Sequence, residues 1–499
     1  MSEDMLKNQR ELNFSPYMEL YDKLIPQNHF FRKIKDLVDF SFIIEEIKET
    51  YTLNNGRPAE SPERMFKYLL LKCLNPLSDV DLVERARYDL SYKFFLDLNP
   101  EDDVINSSSL SKFRKLRLKT TEILDKLIEK TVQIAMSKGI IESKAIIVDA
   151  THTKSKYNSH SIVEVLREHS RKLRKTIYSI DEKTKSQMPA KNTEDSIEKE
   201  IEYCERLIQT VENMPVIPNL PAVKEKLNIL IETMQDTEEE ILISKDEDAK
   251  VGHKTKDTSF FGYKTHIAMS PERIITAATI TSGEKPDGKE LEALVEKTRK
   301  AGMEVETVVA DTAYSGRENL RLANQKDENG KENFKLVSKL NPVISNGNRK
   351  ESENNFIYNK DAGTVQCKAG YLADTMRIEK GSDIKNSRMI FSWFRGRCKK
   401  CSFRNECNPK CKKPKRYGIT IKCDEHKTQE EFQKSDFFKT MQKERYKIEA
   451  KNSELKNAHG YDTSFGNSLY SMKIQGACTI FVANLKRIVL LMEEKQHKK

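Results

Sequence analysis

The sequence predicts an α/β protein carrying helical and cysteine-bearing insertions. Three observations lead there. Short β-branched apolar runs end in aspartate, amphipathic helical segments alternate with them, and cysteines cluster in a polar stretch. The 499 residues are 37% hydrophobic and 33% charged, enough for several domains with a sizeable core. The net charge of +10 favours an anionic partner, nucleic acid first. No segment approaches the ~20 apolar residues of a membrane span. The opening MSEDMLKNQR has no basic-then-apolar signal pattern. A soluble cytoplasmic protein without a membrane partner is the expectation.

Taken in order, residues 1–60 carry only short apolar runs. In SPERMFKYLLLKCL, Ser61 is placed to cap a helix with Pro62 at its first position. A second helix starts near Ser78. NSSSLSKFRKLRLK then sets Lys112, Arg114, Lys115, Arg117 and Lys119 in one short helix. Short helices ending in a basic one suit an N-terminal DNA-binding domain over 1–125, with Lys112 and Arg114 as phosphate contacts. A packing domain with a solvated basic face fits the same pattern. SKAIIVDAT reads as a buried strand, Ala145 to Val148, delivering Asp149 at its end.

Over 160–250 the pattern turns helical. Ile197, Ile201, Cys204, Leu207, Ile208 and Val211 recur at helical spacing, and VKEKLNILIETM repeats it. The three prolines of MPVIPNLPA break the chain between them, which predicts an inserted helical hairpin. Strands resume at FFGYKTHIAM and RIITAATITSG. They are followed by the helix DGKELEALVEKTRKAG, the strand EVETVVADT ending in Asp311, and a helix at SGRENLRLANQ. Such alternation predicts an α/β sheet, built from 140–160, 250–340 and 428–496. Residues 340–427 read as an irregular basic insertion. Two long helical segments, 429–458 and 467–495, close the chain.

The insertion holds Cys398-x2-Cys401-x5-Cys407, with Cys367 upstream. A Cys-x2-Cys pair can hold one Zn²⁺ from adjacent positions, and a second pair closes the tetrahedron. Cys411 or Cys423 could replace Cys367 as the fourth ligand. The surrounding RGRCKKCSFRNECNPKCKKPKR has ten Lys or Arg against one Glu, which suits a phosphate backbone. A closed site of four thiolates leaves zinc a structural role.

Asp149 and Asp311 each end a buried run, where an unpaired carboxylate costs several kcal/mol. Either alone would suit a turn-capping aspartate. Two on neighbouring strand ends can hold Mg²⁺, and a pair of such ions can drive phosphodiester cleavage. A third acid comes from helical phase. At ~100° per residue, Arg445, Glu449, Asn452 and Lys456 share one face, while Glu444 and Glu454 lie ~140° from Glu449. One acid thus has two basic companions on its stripe. A run of i,i+4 salt bridges has the same geometry.

Arg445-x3-Glu449-x6-Lys456 resembles the Tyr-x2-Arg-x3-Glu-x6-Lys signature of bacterial insertion-sequence transposases with a DDE active site. VDAT around Asp149 and VVADTAYSG around Asp311 resemble that superfamily's aspartate motifs. Gly262-Tyr263-Lys264-Thr265-His266 resembles the strand after the first aspartate, and HGYDTSFGNSLYSMKIQGACTIFVANLKRIV the C-terminal region of one group. That group also has an N-terminal helical domain and a cysteine-bearing insert, so the resemblance spans about 15–495. It implies an RNase H-like core, a five-stranded mixed sheet flanked by helices. It implies Mg²⁺- or Mn²⁺-dependent cleavage of element ends and strand transfer of the 3′-OH into target DNA. Asp149, Asp311 and Glu449 would be the metal ligands; Arg445, Lys456 and Lys264 would meet phosphates. The implied partners are double-stranded DNA, as terminal inverted repeats and target, and a second copy of the chain on paired ends, at the bacterial nucleoid. The sequence departs at Gln442, which stands where the signature has tyrosine; Tyr446 is a substitute for its hydroxyl. Some relatives hold a flipped base on a tryptophan of the insert. Here the sole Trp, Trp393, fits the small core around the zinc better. A catalytically inactive transposase-derived DNA-binding regulator is the alternative reading; the intact acidic triad argues against it.

Overall fold

The computed structural model describes residues 15–51, 60–118, 122–156, 162–192, 194, 196–243, 246, 248–253, 259–345, 356–382, 386–407 and 413–497. Its centre is a mixed sheet of six strands: β1 (Ala145–Lys154), β2 (Lys250–His253), β3 (Ser259–Met269), β4 (Ile275–Ser282), β5 (Thr307–Ala310) and β6 (Lys335–Val337). β1 pairs antiparallel with β3, and β3 with β4. On its other edge β1 runs parallel to β5, and β5 to β6. The sixth strand, beyond the five expected, is β2. It pairs with the first residues of β3, and its four residues are too short and polar to stand out in the sequence.

Side-chain alternation splits the sheet into two apolar faces. Ile146, Val148, Val308 and Ala310 pack with Leu291, Leu294 and Val295 of a covering helix, Leu291–Lys300. Ile147, Val309 and Ile267 face the other way, into a larger core. That core includes the long helix Leu469–His497, whose Phe481 and Ile480 are fully buried. Asn484 of this helix is buried and satisfied. Its Oδ1 accepts from the Ile275 amide (2.8 Å), and its Nδ2 donates to Thr131 Oγ1 (2.9 Å) and the Ile275 carbonyl (2.8 Å). By length and composition Leu469–His497 could cross a membrane, contrary to the expectation that no segment approaches a span. However, 78% of its apolar window is buried inside the protein.

Eight helices precede the sheet among the described residues: α1 (Glu19–Leu24), α2 (Phe30–Leu37), α3 (Phe42–Ile47), α4 (Pro62–Leu74), α5 (Asp79–Tyr88), α6 (Leu90–Phe95), α7 (Ser107–Arg117) and α8 (Ile123–Ser137). Pro62 opens α4 as expected, although the Ser61 side chain makes no capping bond. Ser78 does cap α5, its hydroxyl accepting from the Asp81 amide at 3.0 Å. These helices have no separate core. Phe66 and Leu69 of α4 and Leu127 and Val132 of α8 belong to the same apolar cluster as Ile267, Ile448 and Phe481.

The insertion after β1 contains three helices rather than the two of the expected hairpin: α9 (Ile162–Ile180), α10 (Ile197–Glu212) and α11 (Pro221–Ile243). In α9 the apolar positions Val163, Leu166, Leu173 and Ile177 are diluted by charge, which hides the helical period. Leu166, Leu173, Tyr203, Leu207, Val223 and Leu230 form a core of their own. Where the chain leaves and re-enters the sheet, a buried Asp246 joins both ends. Its Oδ2 accepts from Ser155 Oγ at 2.6 Å, and its Oδ1 from the Tyr263 hydroxyl.

Residues 340–427, expected to be irregular, hold two small antiparallel sheets. One pairs β7 (Ile357–Asn359) with β8 (Thr364–Gln366). The other orders β9 (Thr375–Glu379), β10 (Arg388–Ser392) and β11 (Arg416–Thr420) with β10 in the middle. Their strands are short and largely exposed, and so carry little alternation to read. The segment expected as one helix over 429–458 is three: Asp424–Phe432, Asp436–Lys443 and Tyr446–His459. The Ser435 hydroxyl caps the second by accepting from the Phe438 amide (3.2 Å).

Candidate active site

The site lies where β1 and β5 end side by side. The last paired residues are Val148 and Ala310, so Asp149 and Asp311 follow in register on strands ~4.8 Å apart. By alternation both carboxylates leave the sheet on the face of Ile147 and Val309, where the helix Tyr446–His459 packs through Ile448 and Leu455. Beyond Val148, β1 has no β5 partner. Its open edge is taken instead by the chain after this helix: the Lys154 amide donates to the Asp462 carbonyl and the Ser464 amide to the Lys154 carbonyl, both at 2.8 Å.

The expected stripe turns toward β1. Asn452 Nδ2 donates to Asp149 Oδ2 at 3.1 Å. Lys456 Nζ lies 3.4 Å from His152 Nε2 of β1 and 4.0 Å from Asp462. Arg445 Nη1 donates to Glu449 Oε1 at 2.5 Å, and the Glu449 side chain is 56% exposed. Glu454 points elsewhere, paired with the buried Lys451 (3.0 Å) and with Arg273 (3.7 Å). Helical phase therefore separates the two glutamates as the arithmetic requires. Asp311 also caps the turn that follows it, accepting from the Ala313 amide at 2.9 Å.

Electrostatics ties the acids together. Burial pushes the Asp149 carboxyl up to about 6; Arg445 and the Ala150 amide oppose this, while Asp311 and Asp287 add to it. Asp311 is raised as well, first by burial, with Arg445 again opposing. Arg445 thus serves all three acids at once. Two crowded, half-desolvated carboxylates with raised protonation are a donor set that a divalent cation relieves. Among the described residues, no three His, Cys, Asp or Glu side chains are drawn together at metal-holding distance. Arg445 supplies the positive charge between Glu449 and the aspartates.

Asp287 is missing from the sequence reading. It follows Pro286 at the start of a helical turn, where any N-terminal acid would stand, so no local signal marks it. Lys264, expected at a phosphate, is engaged inside the protein: its Nζ donates to Asp287 Oδ1 (2.8 Å) and to the Lys285 carbonyl (2.9 Å). Arg114 is likewise held, with Nη1 3.1 Å from Asp79 Oδ1, and Arg117 lies over the Tyr51 ring. Lys112 and Lys115 are exposed; Lys119 falls outside the described residues. Gln442 is half-buried and Tyr446 is exposed.

In the cysteine-bearing segment, Cys367, Cys398, Cys401 and Cys407 line one cavity of about 40 Å³ beside Trp393 and Phe356. Cys423 is elsewhere, its Sγ 2.9 Å from His426 Nδ1, and Cys411 lies outside the described residues. Trp393 is buried, its Nε1 donating to the Tyr371 carbonyl at 3.0 Å. It belongs to the small core.

Two family models match the chain. Residues 19–116 match the one described as a transposase domain, DUF772, and residues 228–469 match the one described as the transposase DDE domain. The chain belongs to the insertion-sequence DDE transposases. No curated protein and no solved structure matches it. In this transposase the DDE match contains Asp311 and Glu449 and begins after Asp149. The helical insertion lies between β1 and the matched segment, and strand register sets Asp149 beside Asp311. The family acts on DNA and typically uses divalent metal ions.

Proposed function

We propose that this transposase cleaves the ends of its insertion sequence and joins the freed 3′-OH to target DNA, with Asp149, Asp311 and Glu449 holding a pair of Mg²⁺ or Mn²⁺ ions. The observation that carries the reading is the meeting of two in-register strand ends with one helix, through Asn452 on Asp149 and Arg445 on Glu449. The order β4-β3-β1-β5-β6, with β5 and β6 parallel to β1, supports an RNase H-like core. Bound there, two ions would activate the attacking oxygen and stabilise the leaving one. The chain's own part is to hold two acids at strand ends and the third on the helix packed beside them. Arg445 and Lys456 then offer positive charge to the phosphate beside the scissile bond. With its ammonium on Asp287, Lys264 is a less direct phosphate contact than those two.

Around this centre, residues 1–125 would bind terminal inverted repeats through exposed bases such as Lys112. The cysteine module over 340–427 would be held by Zn²⁺ on Cys367, Cys398, Cys401 and Cys407, a set supported by the cavity those four share. Two copies would work on paired ends at the bacterial nucleoid. An inactive regulator is not favoured, because all three acids are present.

The test is a Mg²⁺-dependent cleavage and strand-transfer assay on the DNA flanking the gene, comparing Glu449→Gln with Glu454→Gln. Loss of several kcal/mol of transition-state stabilisation at position 449 predicts at least a ~100-fold drop in cleavage. Glu454→Gln should keep cleavage within a few-fold. The opposite ranking would sink the assignment of the third acid.

A further inference from the structure

Beside the two strand-end aspartates stands an acid that the proposed chemistry leaves unused. Asp287 opens the 3-10 turn Asp287–Glu290 after β4. That turn is pinned to the loop following Asp311. Asn319 Nδ2 donates to the carbonyls of both Gly288 (2.8 Å) and Tyr314 (3.0 Å). A Cβ on Gly288 would lie 2.6 Å from the Ala313 carbonyl oxygen, so only glycine permits this approach. Two loops from different strands are thereby locked together, and the Asp287 charge bears on Asp149 and Asp311 alike.

From β3 the same carboxylate is gripped a second time. The Lys264 side chain is only 14% exposed, with Nζ 2.8 Å from Asp287 Oδ1. His266 is fully buried, and its Nε2 lies 3.0 Å from Thr281 Oγ1. Its Nδ1 lies 3.8 Å from Asp287 and has no hydrogen-bond partner among the described residues. A buried ring nitrogen left without a bond is costly, and this one is aimed at Asp287.

Two divalent ions carry four positive charges, while Asp149, Asp311 and Glu449 supply three negative ones. We propose that Asp287 is a positioning residue, a fourth carboxylate that acts on the metal ions from behind Asp149 and Asp311 and not as a ligand. Lys264 grips its carboxylate at 2.8 Å. This inference rests on the metal-dependent reading above. It assigns Lys264 the task of competing with the metal for the charge of Asp287.

The experiment is Mn²⁺ titration of the full chain without DNA, read by the electron paramagnetic resonance of free Mn²⁺, with thermal midpoints taken on every variant. Asp149→Asn should remove the tight binding. Asp287→Asn should weaken it about tenfold, the effect of losing an outer partner of a metal site, and Asp287→Glu should restore most of it. Lys264→Met should tighten binding, because the carboxylate loses its competing cation. If Asp149→Asn binds Mn²⁺ like the wild type, the metal-site reading itself fails. If Asp149→Asn abolishes binding while Asp287→Asn leaves it unchanged, or if Lys264→Met weakens it, Asp287 is only a strut and the inference alone is overturned.

Discussion

The helical insertion and the N-terminal helices are both charged, amphipathic and wholly helical, yet they join the sheet in opposite ways. The insertion closes its own core around Leu173, Tyr203 and Leu207. The N-terminal helices close none: Phe66 of α4 stacks edge-on to Phe481 of the C-terminal helix at 6.0 Å, in a cluster that includes Ile448 and Leu455 beside Glu449. The helix bearing Glu449 even ends on α4. His459 Nδ1 lies 2.9 Å from the Cys73 carbonyl oxygen, and a Cβ on Gly460 would lie 2.7 Å from Pro76. Physically, the insertion is an appendage, and the N-terminal helices are part of the catalytic unit. DNA held by the latter, as proposed, would act on the same packed body as the acids.

The largest effect that tests this contrast is a core truncation in each region. Phe481→Ala should lower the main unfolding transition by about 3–5 kcal/mol. Leu207→Ala, equally buried, should lower only a separate transition of the insertion, seen as local loss of amide-exchange protection in denaturant. One transition lowered equally by both would make the two regions a single unit.

A smaller effect concerns charge. Asp149 sits at about 6 in the folded chain against an ordinary 3.8. The folded chain holds that proton more tightly than the unfolded one. Stability is therefore gained as pH falls from above 6 toward 4, and lost as pH rises through 6. Asp149→Asn should stabilise the folded chain at pH 8 by at most about 3 kcal/mol, read from the main transition, with the gain gone by pH 4. The exchange rates of the insertion should not respond. A gain that persists at pH 4 would assign the effect to packing.

The smallest is the joint itself. Gly460 has φ of 63°, and Gly460→Ala should cost about 1 kcal/mol from the left-handed backbone, plus whatever Pro76 must yield. Protection should fall together at the end of α4 and in the helix bearing Glu449. Loss confined to one of them would break the proposed continuity.

How far this could be read beforehand depended on how local each signal is. A β-branched run ending in an acid is visible within nine residues, so Asp149 and Asp311 were legible. So was the stripe of Glu449, which needs only a helix and its 100° step; that Asn452 meets Asp149 and Lys456 meets His152 became visible only in the fold. Asp287 was not, because its turn gains meaning only when Asn319 ties it to the loop after Asp311. Spacing alone left the fourth cysteine open, whereas folding puts Cys367 at the shared cavity and Cys423 on His426. Nor did any pattern foretell that Lys264 and Arg114 would be consumed by Asp287 and Asp79. Which cations stay available is a property of packing.

The small knot at Asp246 has a wider consequence. Ser155 and Asp246 are 91 positions apart in the chain and bonded at 2.6 Å. With the ends of a segment fixed by the framework, the closure entropy grows only as the logarithm of what lies between. Ninety residues cost little more to close than thirty. The gap after β1 is thus a socket: a segment of very different length could be lodged there while β1, and Asp149 on it, keep their register against β3.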